Sequence, residues 1–149
     1  MKWIKDPKKT KKTIRQLEER ITKKYSYMFP RQKPGTPLLP IVFGFEVGPG
    51  WYDLLENMFN TIALIDINKT VIIQQVKEKF GGLRFYYGHN EIRASEEIYD
   101  AISFVVRCGE SISEHTCEEC GEWGKIIGGG WLYCRCKKCE KRLKKERFI

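Results

Sequence analysis

Four cysteines in two CxxC pairs, Cys117-Glu-Glu-Cys120 and Cys136-Lys-Lys-Cys139, are the residues best suited to chemistry in this chain. In a CxxC turn the backbone curls so that both thiolates converge, and two such knuckles supply a tetrahedral sulfur set. Gly121, directly after the second cysteine, permits the tight turn. The spacing predicts one structural zinc ion. Four protein sulfurs leave no open coordination position, which argues against a catalytic metal. Metal binding on the order of 10 kcal/mol would make this end of the chain fold only with its ion. Cys134 is a fifth thiol nearby, but it forms a poorer knuckle with Cys139 than Cys136 does, so it is placed outside the ligand set. Cys108 reads as a small buried thiol. Disulfides are the alternative use of these cysteines, and a reducing compartment disfavours them.

Other chemistries fit less well. His89-Asn90-Glu91 followed by Cys117-x-x-Cys120 has the residue types of a zinc deaminase. Against it, no proline precedes Cys117, a helix is expected where that enzyme needs a strand, and Cys136 and Cys139 go unused. HNH-type nucleases need histidines beside the metal, and His89 and His115 lie outside the expected zinc hairpin and helix. No Walker loop, GxSxG or HExxH motif is present.

A second candidate site is cationic. Val71 to Phe80 and Leu83 to Tyr87 read as strands joined by a Gly81-Gly82 turn. That register pairs Phe80 with Leu83 and Lys79 with Arg84. It places Val76, Phe80, Leu83, Phe85 and Tyr87 on the core face, and Lys77, Lys79, Arg84 and Tyr86 on the other. Like charges at cross-strand distance are destabilising, so a negative group is expected there. Glu46 and Asp53, flanking Gly48-Pro49-Gly50, are the favoured internal partners. The alternative is a phosphate or nucleotide, with Tyr86 stacking on a base.

The elements that position these residues follow from periodicity. Asp6-Pro7 reads as an N-cap and first helical residue, and Ile14, Leu17, Ile21 and Tyr25 predict a helix over 8–25. Four prolines between 30 and 40 exclude regular structure and predict a linker or strap. Trp51, Leu54, Leu55, Met58, Phe59, Ile62 and Leu64 or Ile65 recur at helical spacing. Asn90 is expected to cap a helix that turns Ile92, Ile98, Tyr99, Ile102, Val105, Val106 and Ile112 inward. Gly109 costs that helix about 1 kcal/mol relative to alanine. Between the knuckles, Lys125-Ile126-Ile127 and Trp131-Leu132-Tyr133 flank Gly128-Gly129-Gly130 as a short hairpin, and 141–147 reads as a helix. Knuckle, hairpin and a helix carrying the last ligands make a treble-clef-like arrangement. The expected fold is therefore α+β, with helices on a small antiparallel hairpin sheet and a C-terminal four-cysteine zinc module. The expected segments are 1–29 (a basic helical extension), 30–40 (the linker), 41–115 (the core) and 116–149 (the zinc module).

The 149 residues carry a net charge of +8, unevenly spread. Residues 1–24 hold +7 and residues 135–149 hold +6, leaving −5 for the middle. Two basic ends suggest a polyanionic partner, with Lys137, Lys138, Lys141, Arg142, Lys144 and Lys145 on the last helix and Lys8, Lys9, Lys12 and Arg15 on the first tracking phosphates. The bland alternative is a pair of solvated helix faces. No stretch is apolar enough to span a membrane, and Met1-Lys2-Trp3-Ile4-Lys5 has no secretory character, so a cytoplasmic location is expected.

Three stretches also carry a resemblance: Gly44-Phe-Glu46 with Gly48-x-Gly50-Trp51-Tyr-Asp53, Val76-Lys-Glu-Lys-Phe-Gly-Gly-Leu-Arg-Phe-Tyr86, and Thr116-Cys-Glu-Glu-Cys-Gly121 with Trp131. Together they resemble a family of small proteins of no assigned activity, found in bacteriophages and bacterial genomes. The resemblance covers residues 41–140 and implies a phage origin and a zinc module. It favours Cys136 and Cys139 over Cys134, does not include His89-Asn90-Glu91, and does not reach the basic ends. The functions expected are a non-enzymatic accessory protein acting in a host cytoplasm on nucleic acid or a nucleic-acid-bound complex, an inhibitor of a host defence protein, or a nucleotide binder or hydrolase using Lys77, Lys79 and Arg84.

Overall fold

Phe59 is the hub around which the chain folds. Its ring lies 6.0 Å from Tyr25, 5.8 Å from Phe29, 5.7 Å from Phe45 and 5.3 Å from Phe85. These rings come from separate stretches of sequence, which one aromatic cluster gathers into a single core. The computed structural model describes the backbone of residues 7–147 and the side chains of 15–147. The Asp6 cap predicted for the first helix lies outside the described residues.

Helix α1 runs Pro7–Lys24. Leu17, Ile21 and Tyr25 face inward at four-residue steps, and Met28 follows them into the core. The stretch that reads in sequence as a separate basic extension thus packs its apolar side on the body. After the proline-rich strap, strand β1 (Phe45–Glu46) leads through Gly48-Pro49-Gly50 into α2 (Tyr52–Ile65). Leu55, Met58, Phe59 and Ile62 form its buried stripe, each burial contributing roughly 1.5–3 kcal/mol. Leu64, one of two residues expected inward at the helix end, is exposed and Ile65 is half-buried. Asp66 is 1% exposed, and its two oxygens accept from Thr70 N–H, Thr70 Oγ1 and Val71 N–H at 2.9 Å. That satisfied carboxylate fixes the turn from α2 into β2.

Strand β2 (Val71–Lys79) is central: β1 pairs with it in parallel and β3 (Gly82–His89) antiparallel. The sheet is therefore mixed, not the purely antiparallel hairpin expected, because the two residues of β1 run alongside Val76 and Lys77. The hairpin turn also differs. Phe80 and Gly81 carry positive φ (56° and 81°), so they are the turn residues, and Lys79 faces Gly82 with Lys77 facing Arg84. Phe80 consequently leaves the core for solvent, 65% exposed. Relative to the expected pairing the partner slides by two residues, so Leu83, Phe85 and Arg84 keep their faces. A bulge between Ile73 and Gln75 takes up Gln74, which lets Val71, Ile73 and Val76 all reach the core.

Helix α3 (Glu96–Ser113) is capped by Ser95, whose Oγ accepts from Ile98 N–H, and not by Asn90. Asn90 instead closes a local turn, accepting from Ile92 N–H and donating to Lys69 O. Ile92 and Ile112 point to solvent, against expectation, while Ile102 and Val106 are buried. The α3 helix covers the edge of the sheet. Leu83 N–H donates to Ser113 Oγ (2.8 Å) and Phe85 N–H to Glu110 Oε1 (2.9 Å), satisfying the outward amides of β3. Gly109 is more than a weak point in α3: a Cβ there would overlap Met58 Sδ, so its absence is what brings α3 against α2. Beyond α3, strands β4 (Lys125–Ile127) and β5 (Tyr133–Arg135) form a second, antiparallel sheet, followed by α4 (Lys137–Arg147). None of the described helices is long and apolar enough to cross a membrane.

Candidate metal centre

The first knuckle grows out of the turn after α3. Gly121 N–H donates to Cys117 O (2.8 Å) and Cys117 N–H to Glu122 O (2.7 Å), with Gly121 at φ 79°. The second follows β5: Cys136 leaves the strand and Cys139 lies in the first turn of α4, its N–H donating to Cys136 Sγ at 3.4 Å. The ligand sulfurs of Cys117, Cys120, Cys136 and Cys139 all lie within 4.8 Å of one another. A tetrahedron with metal–sulfur bonds near 2.3 Å has sulfur–sulfur edges of about 3.8 Å. The Cys120–Cys136 separation is 3.7 Å, far from the roughly 2 Å of a disulfide. The group could hold a metal ion.

The thiols differ in their electrostatics. Burial pushes the Cys120 thiol up to about 11, with the neighbouring Cys117 adding to it. Burial, then the surrounding thiols, also raises Cys139. Cys136 moves the other way: burial acts upward on it, but the Cys139 N–H and adjacent thiols hydrogen-bond its thiolate and outweigh that effect. A bound cation would favour the thiolate forms of such a cluster. Cys134 lies outside the cluster and is buried, donating its S–H to Glu114 O at 3.3 Å, while Cys108 is half-buried on α3.

Two parts of the body clamp this centre. Gly50 N–H donates to Glu118 O (2.7 Å), Gly48 N–H to Glu118 Oε1 (2.8 Å) and Trp51 Nε1–H to Thr116 O (2.7 Å). A Cβ on Gly50 would overlap the Cys117 carbonyl oxygen, so the Gly-Pro-Gly turn fits only as a bare backbone. The tip of the β2–β3 hairpin abuts the second sheet, where a Cβ on Gly81 would stand 3.1 Å from Ile126. Between the knuckles, Arg135 pairs with Glu119 (3.8 Å) and Glu140 (3.5 Å), and Arg142 with Glu119 (3.6 Å). Burial first, opposed by the Gly48 N–H and reinforced by Glu78 and Glu119, pushes the Glu118 carboxyl up to about 7.

The other expected residues are placed as follows. Lys137, Lys138, Lys141 and Lys145 are exposed on α4, while Lys144 pairs with Glu140 (3.0 Å). Arg15 pairs with Glu19 on α1 (3.2 Å); the side chains of Lys8, Lys9 and Lys12 lie outside the described residues. Lys77, Lys79, Arg84 and Tyr86 share the outer face of the first sheet, with Lys77 Nζ 5.7 Å from the Tyr86 ring. The expected acid partners are not engaged there. Glu46 accepts from Gln75 Nε2 (3.1 Å), Asp53 is exposed on α2, and among the described residues no ion pair within 4.0 Å involves Lys77, Lys79 or Arg84. Lys77 faces Arg84 across the strands, so like charges still meet there, and Glu46 lies beside Lys77 in register without forming an ion pair with it. His89 contacts Thr70 Oγ1 through Nδ1 (2.9 Å) and packs 4.5 Å from Tyr99, and it is not among the clustered ligands. That removes the geometric basis of a deaminase site.

Sequence reasoning missed a cleft of about 500 Å³ between the Gly128–Gly130 loop, β5 and α4. The alternation Tyr133, Arg135 was its signal, since period two turns both to one side of β5, while Trp131 joins them from the bend before the strand. Arg135 lies 4.0 Å from the Tyr133 ring centroid and Arg147 5.7 Å, and Arg147 Nη2 donates to the Tyr133 hydroxyl at 3.2 Å. The chain matches no protein-family model, no curated protein and no solved structure.

Proposed function

We propose that this chain is a zinc-stapled, non-enzymatic nucleic-acid-binding protein in which a treble-clef module presents a basic helix. The observation that carries the reading is the pairing pattern on α4. Lys137, Lys138, Lys141 and Lys145 are exposed and, among the described residues, have no carboxylate within 4.0 Å, while Cys139 roots the same helix at the metal cluster. A rigidly held row of unpaired lysines suits phosphate tracking. Four sulfurs suit structural zinc, which would fix the helix without taking part in a reaction. The resemblance to a phage family supports an accessory role in a bacterial cytoplasm.

The test is binding of the zinc-loaded chain to nucleic acid as salt is varied. Four phosphate contacts predict a log–log slope of about −3 to −4. Lys137→Glu with Lys141→Glu should lower both affinity and slope. A flat salt response would sink the reading. A second reading, contact with a host protein, is favoured by exposed Leu38, Val42 and Phe43 on the strap, at 69%, 51% and 78%. Capture of one host protein that survives nuclease and high salt, and is lost in Phe43→Asp, would support it.

A further inference from the structure

We propose that the cleft between the Gly128–Gly130 loop, β5 and α4 holds one unpaired base of a single-stranded nucleic acid. Trp131 is the stacking platform, and Arg147 takes the adjoining phosphate. The proposal rests on the nucleic-acid reading above and adds the kind of strand and the place where it is read. A volume of about 500 Å³ suits a nucleotide-sized ligand.

Trp131 is 67% exposed. Among the described residues its indole packs on neither another ring nor a cation, whereas the neighbouring Tyr133 is already engaged by Arg135 and Arg147. An uncovered indole beside a cationic rim has the makings of a base-stacking platform. The charges fit the same occupant. Arg135 is tied to Glu119 and Glu140, which leaves Arg147, held by the Tyr133 hydroxyl and ring and by no carboxylate within 4.0 Å among the described residues, to meet a phosphate. Among the described residues Glu140 is the one carboxylate lining the cleft, and its ion pairs with Arg135 and Lys144 offset its charge.

The loop adds an independent point. Gly128 is demanded by its backbone, with φ 123° and no room for a Cβ beside the Trp131 carbonyl. Gly129 and Gly130 are not, since a Cβ on either would meet nothing within 4 Å and neither has left-handed φ. Gly129 lines the cleft, and its bareness leaves that side open to a flat ligand. A base stacked inside a duplex cannot reach the indole, so the site selects single strands.

The experiment compares a labelled oligothymidylate of about 12 nucleotides with a duplex of equal length, by fluorescence anisotropy on the full zinc-loaded chain. Trp131→Ala should weaken oligothymidylate binding roughly 5- to 150-fold, while Trp131→Phe retains most of it. Duplex binding and the salt slope should not change in Trp131→Ala, because the indole carries no charge. Unchanged zinc content and circular dichroism establish that the variants fold. If Trp131→Ala binds oligothymidylate like the wild type while Lys137→Glu with Lys141→Glu still weakens it, the cleft proposal is overturned and the basic-helix reading stands. If the wild type binds neither strand form, both fall. A change in Trp131 fluorescence on adding a poly-glutamate peptide, with oligothymidylate inert, would also overturn it in favour of an acidic peptide.

Discussion

Replacing Gly50 with alanine should separate the four-cysteine module from the body. Gly50 lies in a short 3-10 turn over Pro49–Trp51 and has no left-handed φ, so alanine would suit the local backbone. Contact decides the outcome. A Cβ there would overlap Cys117 O and stand 2.6 Å from Gly121 N and 2.7 Å from Glu118 C, all of them backbone atoms that cannot rotate away. Relief requires the turn to back off from the knuckle. Retreat would break the bonds from Gly50 N–H, Gly48 N–H and Trp51 Nε1–H to the knuckle. Three hydrogen bonds at about 1 kcal/mol net each give roughly 3 kcal/mol. Partial exposure of Trp51, now fully buried, adds about 1–2 kcal/mol. At about 3 °C per kcal/mol for a chain of this size, the zinc-loaded protein should melt roughly 12–15 °C lower. Gly129→Ala is the matched control, since its Cβ would meet nothing; it should stay within about 0.5 kcal/mol of wild type. Thermal melts of both variants at saturating zinc check this. A Gly50→Ala melt within about 2 °C of wild type would refute the argument that this turn clamps the knuckle.

Metal analysis of the purified chain should give one zinc per molecule, lost in the Cys136→Ala, Cys139→Ala double variant and kept in Cys134→Ala; a zinc-free wild type would contradict the ligand assignment. Glu118 gives a pH test. Its carboxyl rises from 4.5 to about 7 on folding, so the fold prefers it neutral, and the stability this confers at low pH is lost as pH climbs through that window. Glu118→Gln keeps an acceptor for Gly48 N–H without the charge. It should be more stable than wild type at pH 8 by on the order of 1 kcal/mol or more, with the difference vanishing toward pH 4; equal urea midpoints at both pH values would contradict this. Ser113→Ala strands the buried Leu83 N–H and should cost about 1–3 kcal/mol in urea denaturation, with faster amide exchange at Leu83 as the local signature.

Much of the local structure was legible because it depends on neighbours in sequence. The buried stripe of α2 is read from apolar spacing, and the order of knuckle, hairpin and helix from glycines and cysteines. The face carrying Lys77, Lys79, Arg84 and Tyr86 also survived the wrong turn, because a slide of two residues preserves side-chain parity. The bulge at Gln74 was harder. Val71, Ile73 and Val76 change step from two to three, and only a known burial of all three tells a bulge from a strand end.

By itself the sequence determined which four sulfurs converge, since a CxxC turn brings its two thiolates together within a few residues of chain and the Cys120–Cys136 spacing allows the pairs to meet. Only the tertiary structure decided what those knuckles lean on. Gly50, Gly81, Gly82 and Gly109 look alike in sequence, as turn residues or a helix defect. Their meaning comes from atoms far along the chain: Cys117 O, Ile126, Glu114 and Met58. The same holds for the hairpin turn. Phe80-Gly81 and Gly81-Gly82 are both acceptable two-residue turns locally, and the choice fell to packing. Leu83 is fully buried and bonded to Ser113, while Phe80 is left in solvent. Close packing is a property of surfaces that meet, and no single stretch of sequence contains both sides.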